Sequence, residues 1–433
     1  MLLKILLFAQ LGFVVNQIHF PWTTGIQGLA PVNILFLVTL IAMRGKPEPL
    51  AGLEPTLKAP LLWFYGALTF AFLWALVRGG GAFIDDATYY KNALFFPLFY
   101  FVYFKCRQDE KTTRLLIIWI MIVAAVAGLE AIKEGIYYGF DAYTPSKRAS
   151  GPFGEDFRDS NRAGVFYAMF LPMFVAVMLF LRGKKLWRLA AVGGVVLLAG
   201  GALFTYSRQA YLLVLLGFVV LLIRKSLILA VALSAVLVGL SGYLPDAVSQ
   251  RVDETTQASG TEGQLDASTA SRWELWAGGM QMLRDHPLGV GLYRFPKESG
   301  NYTRYKNFDA HNFYVLTLAE AGPFGLVTLL LLMRAVFKLA KFVRTNAPPD
   351  DPETRALALG FTVTSVCMAL GGIYGSPTLH GTVMSPYWAL CGLLERYIHL
   401  KLQNRGQVIY EAEEVSLVER FPLAAHILPG RRG

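Results

Sequence analysis

Apolar and polar positions in this chain fall in long blocks. Runs of about 20 mostly apolar residues, the length that crosses a bilayer as a helix, recur between short polar connections. The pattern predicts twelve spans, at residues 2–18, 29–43, 59–77, 87–104, 113–138, 162–181, 187–205, 209–223, 226–244, 311–337, 356–375 and 383–400. The predicted fold class is therefore an all-α integral membrane protein of about 12 transmembrane helices, since hydrocarbon requires every backbone group to be satisfied internally. The first run carries Lys4 but no small-residue cleavage site follows it, so it reads as a span and not as a cleaved signal.

The blocks divide the chain into nine N-terminal spans (1–244), one large loop (245–310), three C-terminal spans (311–400) and a polar tail (401–433). Within the loop, residues 253–270 are small and polar and read as a flexible connection. Residues 271–284 predict an amphipathic helix. Ser271 and Glu274 have capping-box spacing, and Trp273, Trp276, Met280 and Leu283 share one face, as in a helix lying in the membrane interface. Pro287, Gly289 and Gly291 then make a turn.

Composition agrees. Of 433 residues, 55% are hydrophobic and 16% charged, against about 25% charged in soluble proteins, which excludes a soluble globular domain. The chain carries 40 Lys and Arg against 30 Asp and Glu, a net charge of +10. Nucleic-acid binding is not the reason for this excess. The basic residues gather in alternate short loops, around 44–58, 105–114, 182–188, 224–225, 338–355 and 396–405, and the alternate set is poorer in them: 19–28 and 376–382 hold none, and 78–91 holds Arg78 and Lys91. By the positive-inside rule both termini face the cytoplasm, and loop 245–310 lies on the far side. Cys106, Cys367 and Cys391 are scattered and read as buried hydrophobes.

Charges inside apolar blocks mark function, because each is expensive in hydrocarbon. Arg208 sits in FTYSRQAYLL between two spans, with Thr205, Tyr206 and Ser207 beside it, a set that suits a phosphate or a sugar. Arg272 opens the predicted loop helix, where a helix N-terminus and a guanidinium favour an anion. Lys91 heads the fourth span, and Arg158 and Arg162 flank a polar string before the sixth; basic residues at such helix ends also snorkel. Asp85 and Asp86 read as a solvated turn. No pair of histidines has metal-ligand spacing, so neither a metal nor a cofactor is expected. His311 stands where the large loop returns to the membrane, and can take a proton near neutral pH without a metal. A histidine base and several cations on one outer face suit a hydroxyl nucleophile and a diphosphate leaving group.

Three motifs resemble the O-antigen ligase and polymerase superfamily of bacterial inner membranes. RQAYL at 208–212 is similar to the family's R-x3-L at the start of a span. HNFYVLTLAEAGPFG at 311–325 is similar to H-N-x9-G-x-x-G, with Gly322 and Gly325 in place. SRWELWAGGMQMLRDHPLGVGLYRFP at 271–296 resembles the stretch R-W … D-H-P-x-G-x-G of the large periplasmic loop. The resemblance implies a glycosyltransferase type C-like fold with its active site on the periplasmic face of the inner membrane. It implies that His311 is the base, with Arg208 and Arg272 as catalytic cations that hold the diphosphate of an undecaprenyl-diphosphate-linked glycan. Lys91 and Arg162 would add to that phosphate site. The transfer would be metal-independent and inverting, with the lipid A core of lipopolysaccharide as the acceptor. Read from the residues, Gly322 and Gly325 permit close packing of another helix, and Glu320 is structural. A polymerase that joins repeat units on the carrier is the alternative within the superfamily, and a protein O-oligosaccharyltransferase is a third. A multispanning transporter or flippase is the alternative from another class. Against it stand the absence of paired halves with matching broken helices and of an intramembrane acid pair.

Overall fold

The computed structural model describes residues 1–19, 30–139, 144, 147–154, 159–239, 267–376 and 380–406, and it is all-helical over them. The helices are α1 (Leu2–Val15), α2 (Pro31–Met43), α3 (Lys58–Arg78), α4 (Phe83–Phe95), α5 (Leu98–Phe104), α6 (Glu110–Tyr138), α7 (Asp159–Phe180) and α8 (Lys185–Phe204), followed by α9 (Arg208–Lys225), α10 (Leu227–Gly239), α11 (Ala267–Asp285), α12 (Phe295–Tyr302), α13 (Phe313–Thr345), α14 (Pro352–Gly371) and α15 (Gly381–Asn404). Arg158, most of the polar stretch 253–270, the last residues of the ninth predicted span and the tail beyond 406 lie outside the described residues.

Among the described residues six helices are long and apolar enough to cross a membrane: α3, α6, α7, α8, α13 and α14. The other predicted spans coincide with shorter or more charged helices. α1 and α2 have 14 and 13 residues, and α9 has basic residues at both ends. The predicted span 87–104 is two helices. Pro97 breaks it, having no N–H to donate and a ring that clashes with the preceding turn. α4 also begins earlier than expected, so Asp85 and Asp86 stand in its first turn and not in a solvated loop.

Caps set several boundaries. The Asp109 carboxylate accepts from Thr112 N at 2.9 Å to start α6, and Gly79 (φ 74°) and Gly139 (φ 83°) end α3 and α6 in left-handed backbone. Asp351 caps α14, accepting from Glu353 N at 3.1 Å and Thr354 N at 3.0 Å, and Pro352 takes the first helical position.

α7 lies at the centre, packed against α14, α8 and α9, and is buried along most of its length. α15 is enclosed in the same way, against α5, α6 and α1. The three cysteines are buried free thiols. Outward faces of α2, α3 and α8 expose large apolar side chains such as Ile41, Leu62 and Leu186, the surface that lipid covers.

The basic loops meet at one end of the bundle and are tied there by ion pairs. Glu353 accepts from Arg114 and from Lys184 at 2.7 Å. Lys401 joins Asp351 at 2.7 Å and Glu110 at 2.9 Å. Arg396, wholly buried, donates to Glu48 at 2.7 Å and to Phe104 O at 2.8 Å. Burial raises the Asp351 carboxyl, but hydrogen bonds from Lys401 and Thr354 outweigh it and hold it at about 2, below the ordinary 3.8. Asp351 therefore adds stability that is present above about pH 4 and is lost as pH falls through about 2. Asp351→Ala removes a cap and an ion pair and is expected to cost about 1–3 kcal/mol at neutral pH. Unfolding of the detergent-solubilised protein measures this, and the gap between wild type and variant should close toward pH 2. An unchanged midpoint at pH 7 would show that the cap contributes nothing.

Candidate active site

At the opposite end of the bundle, α7, α9, α11, α12 and the segments that precede α13, follow α14 and precede α15 bound a cavity of about 260 Å3. Arg162, Gln209, Arg272, Asp309, His311 and His380 line it. Three of the five residues expected from sequence are thus brought together, from segments far apart in the chain. Among the described residues Arg208 and Lys91 do not line the cavity. Gln209, the neighbour of Arg208, reaches the wall and donates to Gly371 O at 2.7 Å. Lys91 is on α4, whose Tyr89 stacks 4.6 Å from Tyr293, another wall residue.

The platform is built by a break in α13. Gly322 leaves the helix with φ 67° and ψ −171°, and Pro323 cannot donate to the carbonyl of Ala319. The turn of residues 287–291 fills the gap. Val290 N donates to Ala319 O at 2.8 Å, and Gly291 N to Glu320 O at 3.0 Å. Gly289 holds φ 90° directly against Glu320, where a Cβ would collide with backbone. Gly322 is therefore the seat of a loop and not a helix-packing glycine. The Glu320 carboxylate is structural as expected, accepting from Phe295 N at 3.1 Å.

α11 rests on this platform. It begins at Ala267, a turn earlier than the capping-box spacing implied, because Ala-Ser-Thr-Ala continues as helix. Arg272 is consequently in the helix body, and its guanidinium lies 5.6 Å over the Tyr374 ring. The buried face is Leu275, Gly278, Gly279 and Met282, while Trp273 and Met280 are exposed. Trp276 donates to Ala310 O at 2.9 Å and packs on Tyr374. Glu274 pairs with Arg304 at 2.6 Å.

His311 follows Ala310 with φ 48°. Left-handed backbone at a non-glycine residue costs on the order of 1–3 kcal/mol and persists only where the surroundings enforce it. The bond from Trp276 fixes one side. On the other, Asn312 caps α13 through Tyr314 N at 2.9 Å and Val315 N at 3.1 Å, and Phe313 N donates to Gly372 O at 2.8 Å. Tyr293 (φ 62°) and Asn307 (φ 60°), also wall residues, share this strained conformation.

Sequence reasoning missed several residues here. Asp309 has a buried Oδ1 without a hydrogen-bond partner; an acid two positions before the candidate base was the available signal. His380 starts α15, and burial with Arg162 nearby pushes its imidazole down to about 3, leaving it neutral over the working range. Buried Arg148 donates to Thr205 O at 2.8 Å and Asn161 at 2.6 Å, bracing the Arg208 turn to α7. The hydroxyls beside Arg208 serve the chain itself. Thr205 donates to Ala202 O at 2.7 Å, and Ser207 caps α9. Arg162 is not a bare cation, since Asp159 holds it at 2.6 Å.

The largest omission is Arg294, 2% exposed. It forks onto Asp86 at 2.8 and 2.7 Å and donates to Gly79 O and Ala75 O at 2.9 and 3.1 Å. Lys297 adds a third bond to Asp86 at 2.9 Å. The large loop is thereby locked to the end of α3 and the start of α4.

Residues 193–330 match the family model described as O-antigen ligase. That segment contains Arg208, Arg272 and His311 and excludes Lys91 and Arg162. No curated protein matches the chain.

Arg294→Ala leaves Asp86 buried with only Lys297, a change expected to cost about 3 kcal/mol or more. Thermal unfolding, with limited proteolysis of residues 271–310, measures it. Unchanged stability and cleavage would show that the clamp does not hold the loop.

Proposed function

We propose that this chain, whose segment 193–330 matches the O-antigen ligase family model, is a membrane glycosyltransferase of the ligase type in the O-antigen ligase and polymerase superfamily. The donor is an undecaprenyl-diphosphate-linked glycan, and the acceptor is a hydroxyl of the lipid A core of lipopolysaccharide. The observation that carries this reading is the single cavity joining Arg272, Arg162 and His311 at the end remote from the basic loops. With the twelve-span topology, both termini face the cytoplasm, the cavity opens to the periplasm, and residues 245–310 form the periplasmic loop between nine spans and three. The site belongs in the bacterial inner membrane.

In this mechanism the His311 imidazole accepts the proton of the acceptor hydroxyl as its oxygen attacks the anomeric carbon. The bond from that carbon to the diphosphate oxygen breaks, and undecaprenyl diphosphate leaves with the bonding pair. Attack on the face opposite the leaving group inverts the centre. The guanidinium group of Arg272 takes the charge growing on the diphosphate, the work a divalent cation does in other transferases, and Arg208, beside the wall residue Gln209, supports it from outside the lining. Arg162 and Lys91 lend positive potential. The cavity is sized for a sugar diphosphate head group, and the polyprenyl chain stays in lipid.

His311→Ala is expected to lower turnover by about 100- to 10,000-fold and to leave donor binding in place. Arg272→Lys should recover only part of what Arg272→Ala loses, because lysine lacks the planar fork. The assay uses purified protein in lipid, an undecaprenyl-diphosphate glycan and EDTA, with lipid A core present or omitted. A product that requires the core and forms in EDTA supports the ligase. A carrier-linked ladder without the core would make the protein a polymerase, and near wild-type turnover in His311→Ala would remove the base.

A further inference from the structure

The bundle has a second charged cavity at its other end. It measures about 520 Å3, and four arginines from four segments surround it. Arg182 follows α7, Arg224 ends α9, Arg344 ends α13 and Arg355 lies in the first turn of α14. Phe180 and Leu359 give it an apolar wall.

The acids of the adjoining segment are engaged elsewhere. Glu353 takes Arg114 and Lys184, Asp351 takes Lys401, and Asp350 takes Arg405 at 2.6 Å. Among the described residues none of the four arginines forms an ion pair. Among the described residues their one hydrogen bond to the chain is a long one, 3.4 Å from Arg355 to Pro349 O. Lys225 adds a further cation 5.6 Å from the Phe180 ring. Like charges gathered without counter-charge repel one another, so an anion entering the cavity relieves that repulsion.

The anion's chemistry follows from residue type and depth. Four guanidinium forks suit the oxygens of a phosphate ester. The cavity lies where α7, α13 and α14, all long and apolar enough to span, reach the end that gathers the basic loops. That is the depth of phospholipid head groups. Ile223, next to Arg224, is exposed beside it for an acyl chain to cover.

We propose that this cavity binds the phosphate head group of an anionic phospholipid. Interhelical basic pockets at a membrane surface are suited to such lipids. The site shares no residue with the His311 cavity, so it stands or falls independently of the glycosyltransferase reading.

The test titrates the full chain in neutral detergent with phosphatidylglycerol, phosphatidylcholine or inorganic phosphate. The readouts are the shift in melting temperature and the retained lipid in native mass spectrometry. Phosphatidylglycerol alone should stabilise the wild type. The double variant Arg224→Ala with Arg344→Ala should keep its melting temperature without lipid and bind phosphatidylglycerol roughly 30-fold more weakly. Equal binding by wild type and double variant would overturn the proposal, as would equal stabilisation by phosphatidylcholine. A full shift with inorganic phosphate would overturn the lipid assignment in favour of a soluble anion. Arg224→Lys with Arg344→Lys should bind with intermediate strength; undiminished binding would reduce the site to diffuse surface charge and overturn a built pocket.

Discussion

Two backbone hydrogen bonds organise the functional end of this protein. An unbroken α13 would satisfy the carbonyls of Ala319 and Glu320 within itself. Pro323 lacks the donor that Ala319 needs, and Gly322 turns the backbone away with φ 67°. The freed carbonyls receive Val290 N and Gly291 N instead. In hydrocarbon or at its edge, unpaired carbonyls are costly, so the break in α13 and the seating of the loop stabilise each other. Leu292 N extends the contact to Ala71 O of α3 at 3.0 Å. Everything that shapes the cavity, from the pose of α11 to the strained backbone of His311, rests on this junction.

The Arg294–Asp86 pair completes the attachment by a different force. A buried ion pair is a weak source of net stability, because desolvating two charges offsets much of their attraction. It is selective, since an arginine fork matches one carboxylate and two carbonyls at a single position of the loop. The backbone bonds fix the depth of the loop, and the ion pair fixes its rotation about α3. Strain at Tyr293 is tolerated because both restraints act within a few residues of it.

Legibility in the sequence followed periodicity and spacing. The described part of each predicted span is largely helical, and six of these helices are long and apolar enough to cross a membrane, since apolar block length reports on bilayer crossing. The fourth split at Pro97, a residue whose effect depends on whether packing absorbs the kink. Arg272 and His311 were legible because each stands at a polarity boundary. Asp86 and Arg294 were not, for they are 208 residues apart and neither is unusual in its own neighbourhood. The helix carrying Arg272 was entered a turn early by the chain, because Ser271 looks like a cap only when the helical tendency of the preceding residues is ignored. Gly322 was noticed, but the same residue type serves close packing and positive φ, and only the partner at 287–291 distinguishes them.

The cavity draws on Arg162 of α7, in the middle of the helical order, and on His380 at the start of α15, the last described helix. Ribosomal synthesis delivers α7 and α9 to the membrane well before α11, and α15 last. No partially inserted chain therefore holds the cations, the strained histidine and His380 around one space. The cavity thus closes only once α15 has joined α7, α9 and α11, so the order of residues along the chain sets when the proposed site comes into being.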